Sequence, residues 1–186
     1  MVVGGTDTST NTIEFAMAEL MSNPEFIKRA QQELDEVVDK DNIVEESHIT
    51  RLPYILAIMK ETLRLHPTLP LLVPHRPAET ALRDPNVWEN PTVFRPERFL
   101  DNNTCDFTGA NYSYFPFGSG RRICAGVALG ERMVLYTLAT LLHSFDWKIP
   151  EGQVLDLEEK FGIVLKLKTP LVALPIPRLS DSDLYL

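Results

Sequence analysis

Proline placement constrains this chain more than any other feature. Thirteen of its fourteen prolines gather between Pro53 and Pro116 and between Pro150 and Pro177. Each proline removes a backbone N–H and fixes φ, so regular helices and central strands end there or begin there. Those two stretches are therefore read as loop-rich, and the helices fall between them or start at a proline. Residues 12–21 place Ile13, Phe15, Ala16, Met17 and Leu20 at helical spacing. Gly4-Gly5, just upstream, predicts a weak or distorted helix there. Asn23-Pro24 reads as a helix start, with Asn as N-cap and Pro at the first position. The helix it opens, 24–38, carries an amphipathic stripe of Phe26, Ile27, Ala30, Leu34, Val37 and Val38.

Residues 39–47 read as a charged loop, and 53–66 as a helix stopped by Pro67. Residues 68–77 read as extended. Residues 83–104 read as loop, with turn signals at Asp84-Pro85, Asn90-Pro91 and Arg95-Pro96. Residues 127–143 read as the longest helix. Residues 161–167 and 171–176, on either side of Thr169-Pro170, read as a β-hairpin, and 180–186 as a loose tail. The fold class expected is mainly α with a small β component.

Length and charge narrow the function classes. At 186 residues and 44% hydrophobic, the chain has room for one domain with a real core. Its net charge of −8 argues against non-specific binding to nucleic acid. Two cysteines exclude a disulfide-rich scaffold. A bridge between Cys105 and Cys124 is conceivable, and a reduced compartment is the simpler expectation. No signal peptide is visible, and no stretch reaches the ~18 apolar residues of a membrane span. The longest apolar stretch, 134–142, is interrupted by Tyr136, Thr137 and Thr140. Read alone, the chain is a soluble protein. Its four histidines are scattered and suggest no metal cluster.

Three constellations carry chemistry. The first is Phe117-Gly118-Ser119-Gly120-Arg121-Arg122-Ile123-Cys124-Ala125-Gly126, a glycine-rich loop ending in a cysteine at the start of a long helix. Helix N-termini stabilise a thiolate through free N–H groups and the dipole. Gly120 and Gly126 allow a flat cofactor to approach the backbone, and Arg122 can reach a carboxylate on it. A lone cysteine cannot build a zinc site but can serve as the single axial ligand of a haem iron. A structural cysteine in a turn is the plain alternative, and the full Phe-x-x-Gly-x-Arg-x-Cys-x-Gly spacing weighs against it. Arg121, Arg122 and Arg132 form either a basic patch or a solvated group.

The second constellation is Glu61-Thr62-Leu63-Arg64, with the two charges one helical turn apart. On a surface such a pair is worth ~0.2–0.5 kcal/mol. The apolar residues around it suggest burial, and a buried pair needs further partners, for which Arg98 is the candidate. The third is Gly4-Gly5-Thr6-Asp7-Thr8-Ser9. Two readings stand: Asp7 or Thr8 as a helix N-cap, or a helix locally opened beside a cofactor with its acid and hydroxyl managing protons.

Together and in this order, the three motifs resemble the cytochrome P450 superfamily of haem-thiolate monooxygenases, in its plant microsomal form. Pro96-Glu97-Arg98-Phe99 and the run from Phe115 to Arg122 strengthen the resemblance, which covers 2–179. It implies that Cys124 is the axial thiolate and that Asp7 and Thr8 deliver protons during oxygen activation. It implies that Glu61, Arg64 and Arg98 form a structural triad, and that Arg122 and, by position, Arg76 meet haem propionates. Phe117, Gly120 and Gly126 complete the loop around haem b. The implied activity inserts one atom of O2 into a small hydrophobic organic substrate. Electrons would come from NADPH through a flavoprotein reductase. The implied division is a partial family domain over 1–179, an incomplete C-terminal part of the fold, with 180–186 as tail.

The chain departs from relatives in two places. It begins inside the central helix, and the hairpin and strand expected between Thr80 and Ala81 look deleted. The alternative expectation is therefore a non-catalytic fragment with weak or no haem binding. Relatives sit in the endoplasmic reticulum membrane; without an anchor, this chain would be cytoplasmic.

Overall fold

Four helices carry the core in a computed structural model that describes residues 2–70, 83–100 and 105–185, the side chains of Val2 and Val3 excepted. They are α1 (Val2–Ser22), α2 (Pro24–Val37), α3 (Pro53–Leu65) and α4 (Val127–Ser144). Ala16 and Leu20 of α1, Leu34 of α2, Ile55, Ile58 and Met59 of α3, and Leu138 and Leu142 of α4 meet in one buried cluster. The expectation of a mainly α fold with a small β component holds.

The first helix runs unbroken through Gly4-Gly5, where a weak or distorted helix was expected. Thr8 Oγ1 donates to Gly4 O at 2.7 Å and Thr12 Oγ1 to Thr8 O at 2.8 Å, so hydroxyls share the backbone carbonyls of this stretch. At 21 residues α1 is longer than the 18 of α4, which corrects the reading of α4 as the longest helix. Asn23-Pro24 does start α2, but the Asn23 side chain does not cap it. Its Nδ2 turns back to Glu19 O at 2.9 Å and closes the end of α1 instead. Short 3-10 turns at Pro96–Phe99 and Gly120–Arg122 lie inside stretches read as loop, and one at Glu46–Arg51 starts at the end of the charged loop and runs past it.

The strands pair differently from the expected hairpin. They are β1 (Phe145–Lys148), β2 (Glu159–Lys160), β3 (Lys166–Leu167) and β4 (Leu174–Pro177). β2 pairs antiparallel with β3, whereas β4 crosses back to β1. Pro175 and Pro177 face Trp147 and Phe145 in that register, while Arg178 N donates to Ser144 O at 3.0 Å. Alternate residues therefore supply the bonds, and the prolines fall where no N–H is called for. The tail is not loose. Tyr185 OH accepts from Arg178 N and Leu179 N and donates to Ser144 O, each at 2.7 Å.

Helix α3 borrows its cap from α2. Its own N-cap, Leu52, offers no side-chain acceptor, and Pro53 has no N–H. The Glu33 carboxylate fills the gap, accepting from Tyr54 N at 2.7 Å and Ile55 N at 3.1 Å. At the other end of α3, Glu61 is fully buried. Arg64 grips it bidentately, Nε to Oε2 at 2.7 Å and Nη2 to Oε1 at 2.9 Å. Arg98 Nε adds a bond of 3.0 Å and Arg95 N one of 2.8 Å, both to Oε1. The guanidinium groups then reach outward to carbonyls. Arg64 bonds Pro91 O and Val93 O, and Arg98 bonds Glu89 O and Val93 O.

Two outcomes follow for chemical denaturation of the chain. Glu33→Ala should lose about 1–2 kcal/mol, the cost of an absent helix cap. Glu61→Ala, which leaves two buried guanidinium groups without their carboxylate, should lose about 3–5 kcal/mol. A loss below ~0.5 kcal/mol at Glu61 would match an exposed pair and contradict its burial.

Candidate functional site

The cysteine loop is built from backbone turns. Gly118 at φ 80° and Gly120 at φ 60° take left-handed conformations that suit glycine. Gly118 N donates to Phe115 O at 2.9 Å and Ile123 N to Gly120 O at 3.2 Å. Cys124 N donates to Phe117 O at 3.0 Å, which closes the loop on itself. Gly109 presses on it from outside: a Cβ there would lie 2.4 Å from Gly118 O and 2.8 Å from Ser119 Cα. Sequence reasoning passed over Gly109, because a single glycine between turn residues carries no spacing signal.

Aromatic rings connect this loop to the buried ion cluster. Phe117 meets Phe107 edge-on at 5.1 Å, and Phe107 lies 6.1 Å from Tyr114. Tyr114 is 5.1 Å from Phe99, which is 5.6 Å from Trp88. The guanidinium groups of Arg64 and Arg98 lie over Trp88 at 5.5 and 5.9 Å. Tyr114 is anchored as well, its hydroxyl donating to Lys60 O of α3 at 3.0 Å. Burial raises its phenol well above the ordinary value, so it stays a neutral donor. The structure thus brings Glu61, Arg64 and Arg98 together and joins them to the loop bearing Cys124.

Cys124 is exposed and Cys105 is buried; both are free thiols, which sets aside a bridge between them. Cys124 precedes the N-cap of α4, Gly126, by two residues rather than starting the helix itself. A Cβ on Gly126 would sit 3.8 Å from the sulfur, so backbone lies beside it. Phe117 is half-buried, and Gly120 opens onto free space. Arg121 and Arg122 are exposed. Arg132 is engaged with Glu46 at 2.9 Å, which offsets its part in a basic patch.

On α1, Asp7 is exposed and Thr8 half-buried. Both lie within the helix, so neither is its N-cap. The helix runs on through this turn, where Thr8 Oγ1 shares the carbonyl of Gly4. Arg76 lies outside the described residues, as does the junction between Thr80 and Ala81.

The donor set limits what these residues can hold. Among the described residues, no three His, Cys, Asp or Glu side chains gather to bind a metal ion. A single thiolate leaves a bare metal ion undersupplied with ligands. It suffices for an iron whose other donors come from a macrocycle, and exposed Arg122 suits that macrocycle's carboxylates. The residues present therefore fit haem.

Comparison with known proteins points the same way. The cytochrome P450 family model matches residues 1–81 and 76–174. The two segments meet at 76–81, where strands were read as missing. The chain is 44% identical to a flavonoid 3',5'-hydroxylase of Crocosmia x crocosmiiflora, over 97% of this chain and 39% of the relative. It is 45% identical to cytochrome P450 76C4 of Arabidopsis thaliana, over 96% of this chain and 39% of the relative. The first alignment runs over 206 residues, more than this chain's 186, so that relative carries residues with no counterpart here. A zebra fish cytochrome P450 solved with abiraterone superposes with a TM-score of 0.80 at 28% identity, covering 94% of this chain and 45% of that one. The chain thus spans about two fifths of the length of the curated relatives it matches. The motifs, the partial fold, the matches over nearly all of its length and the thiol loop agree: this chain belongs to the cytochrome P450 family.

Proposed function

We propose that this chain supplies the thiolate side of a haem monooxygenase site. The observation that carries the reading is Cys124, an exposed thiol on a loop closed by its own N–H to Phe117 O. Haem, when bound, supplies oxygen activation and transfer of one oxygen atom to a substrate C–H bond. The chain's own residues hold it and handle charge. Cys124 as thiolate ligates the iron. Arg122 neutralises a propionate, with Arg76 as its proposed partner. Phe117, Gly120 and Gly126 shape the loop against the ring. Thr8 Oγ1 donates its proton to Gly4 O across 2.7 Å, and releasing that bond frees the hydroxyl to pass the proton on. Asp7, exposed one residue earlier, exchanges protons with water.

The substrate class is a small hydrophobic organic molecule; flavonoids are the compounds that several relatives' names give. Electrons arrive from NADPH through a flavoprotein reductase, and the working location is the endoplasmic reticulum membrane. No described helix is long and apolar enough to cross a membrane itself. One observation favours a second reading, a chain that binds haem without turnover. Asp7 faces open solvent, as do Leu129 and Met133 of α4. Oxygen chemistry needs water excluded from the site.

The dithionite-reduced, CO-bound spectrum of the haem-loaded chain tests the proposal. A strongly red-shifted Soret band, lost in Cys124→Ala, is expected. A band at the ordinary position, or one indifferent to Cys124→Ala, overturns it. Turnover with reductase and NADPH, absent in Cys124→Ser, would sink the second reading.

A further inference from the structure

His66 sits where α1, the end of α3 and the β2–β3 hairpin meet, and both of its ring nitrogens face carboxylates. Nε2 is 2.7 Å from Glu19 Oε1 on α1, and Nδ1 is 2.7 Å from Glu159 Oε1 on β2. Phe15 of α1 stacks flat on the ring at 4.4 Å and 5°. His66 and Glu19 are buried. Neutral imidazole has one N–H and one bare lone pair, so one of these contacts would set two acceptors against each other. Only the imidazolium donates both ways to ionised carboxylates. Arg83 completes the group, donating to Glu159 and to Leu65 O. Two cations and two anions then balance within it.

Among the described residues, the hairpin's base is also closed by Lys168, whose N donates to Glu158 O at 2.8 Å and whose Nζ bonds the Glu158 carboxylate. Two residues pair on each strand, a size too small to be stable alone. Leu165 and Leu167 pack on Phe15 and Ala18, and Leu165 N donates to Thr68 O at 2.9 Å. The turn between the strands presents Phe161 and Ile163 outward, 65% and 83% exposed. Whatever fixes the hairpin fixes where these two apolar side chains project.

We propose that His66 is a positioning residue, a protonated clamp that pins the 159–167 hairpin to α1 and releases it on deprotonation. Among the described residues, the charged groups facing its ring are Glu19 from α1 and Glu159 from β2, with Arg83 behind Glu159. Burial works to lower His66, and the bonds to Glu159 and Glu19 outweigh it and hold it above its ordinary value. Its contribution is therefore complete below about pH 6.5, the unfolded value, and is lost as pH rises through the folded one. Burial also works to raise Glu159, but His66 and Arg83 hold it below the usual carboxylate range. That share is present above the ordinary Glu value and fades as pH falls.

The clamp stands apart from the haem reading and is tested on the 186-residue chain without cofactor. NMR of the His66 ring should show an imidazolium at pH 7. Amide exchange at 159–167, corrected for intrinsic rates, should speed up about tenfold between pH 6 and pH 9, the loss of one charge-assisted hydrogen bond. His66→Gln should be fast at both pH values, with the pH dependence gone. A neutral His66 ring at pH 7, or wild-type hairpin protection that does not change with pH, overturns the proposal. The wild-type titration decides the matter even if the variant fails to fold.

Discussion

The carboxylate of Glu61 is the interaction on which the rest of the structure depends. A buried carboxylate is costly unless its lone pairs are filled, and here they are filled by Arg64, Arg98 and the backbone N–H of Arg95. The same guanidinium groups turn their remaining donors to the carbonyls of Glu89, Pro91 and Val93. A proline-punctuated stretch with one short 3-10 turn is thereby fixed in place by charge rather than by regular structure. Trp88 beneath the two cations starts a run of rings that ends at Phe117. The loop that presents Cys124 is thus anchored to a buried ion cluster through van der Waals contact.

The helices support this arrangement by sharing terminal partners. Glu33 of α2 satisfies the first donors of α3, and Asn23 before α2 satisfies a carbonyl near the end of α1. The start of α3 is therefore secured only when α2 is packed against it, which couples those two elements. Helix α1 has a divided character. Its second half lies in the core, while the turn with Asp7 and Thr8 is open or half-open. The His66 cluster grips the buried half and extends it to the C-terminal hairpin.

Much of this was legible in the sequence where one spacing served one purpose. The apolar stripes of 24–38 and 53–66 gave helices within a residue of their ends, because burial and periodicity agree there. Glu61 and Arg64 stand one turn apart on an apolar helix, and that burial forces their pairing. Other features were out of reach. The cap from Glu33 joins residues 21 apart, and no local pattern links an acid in one helix to a leucine-proline start in the next. The pairing of β4 with β1 leaves Pro175 and Pro177 where no N–H is needed, a match between distant segments that alternation alone does not reveal. Glu19, His66 and Glu159 come from three separate segments, and only tertiary packing places them around one ring. The reading of Asp7 or Thr8 as a cap gave way to a helix that begins before them, a start that the residue types alone do not mark.

The central claim is that the ion cluster holds the cysteine loop through the intervening rings. Phe107→Ala removes the ring between Tyr114 and Phe117 and leaves Glu61, Arg64, Arg98 and Cys124 in place. The decisive measurement is the fraction of thiolate-ligated haem in that variant, read from the red-shifted Soret band of the reduced CO complex alongside far-UV helicity. The account predicts that the thiolate fraction falls while helicity is retained. An unchanged fraction in a helical variant would contradict it, and would leave the loop self-supporting on its own turns.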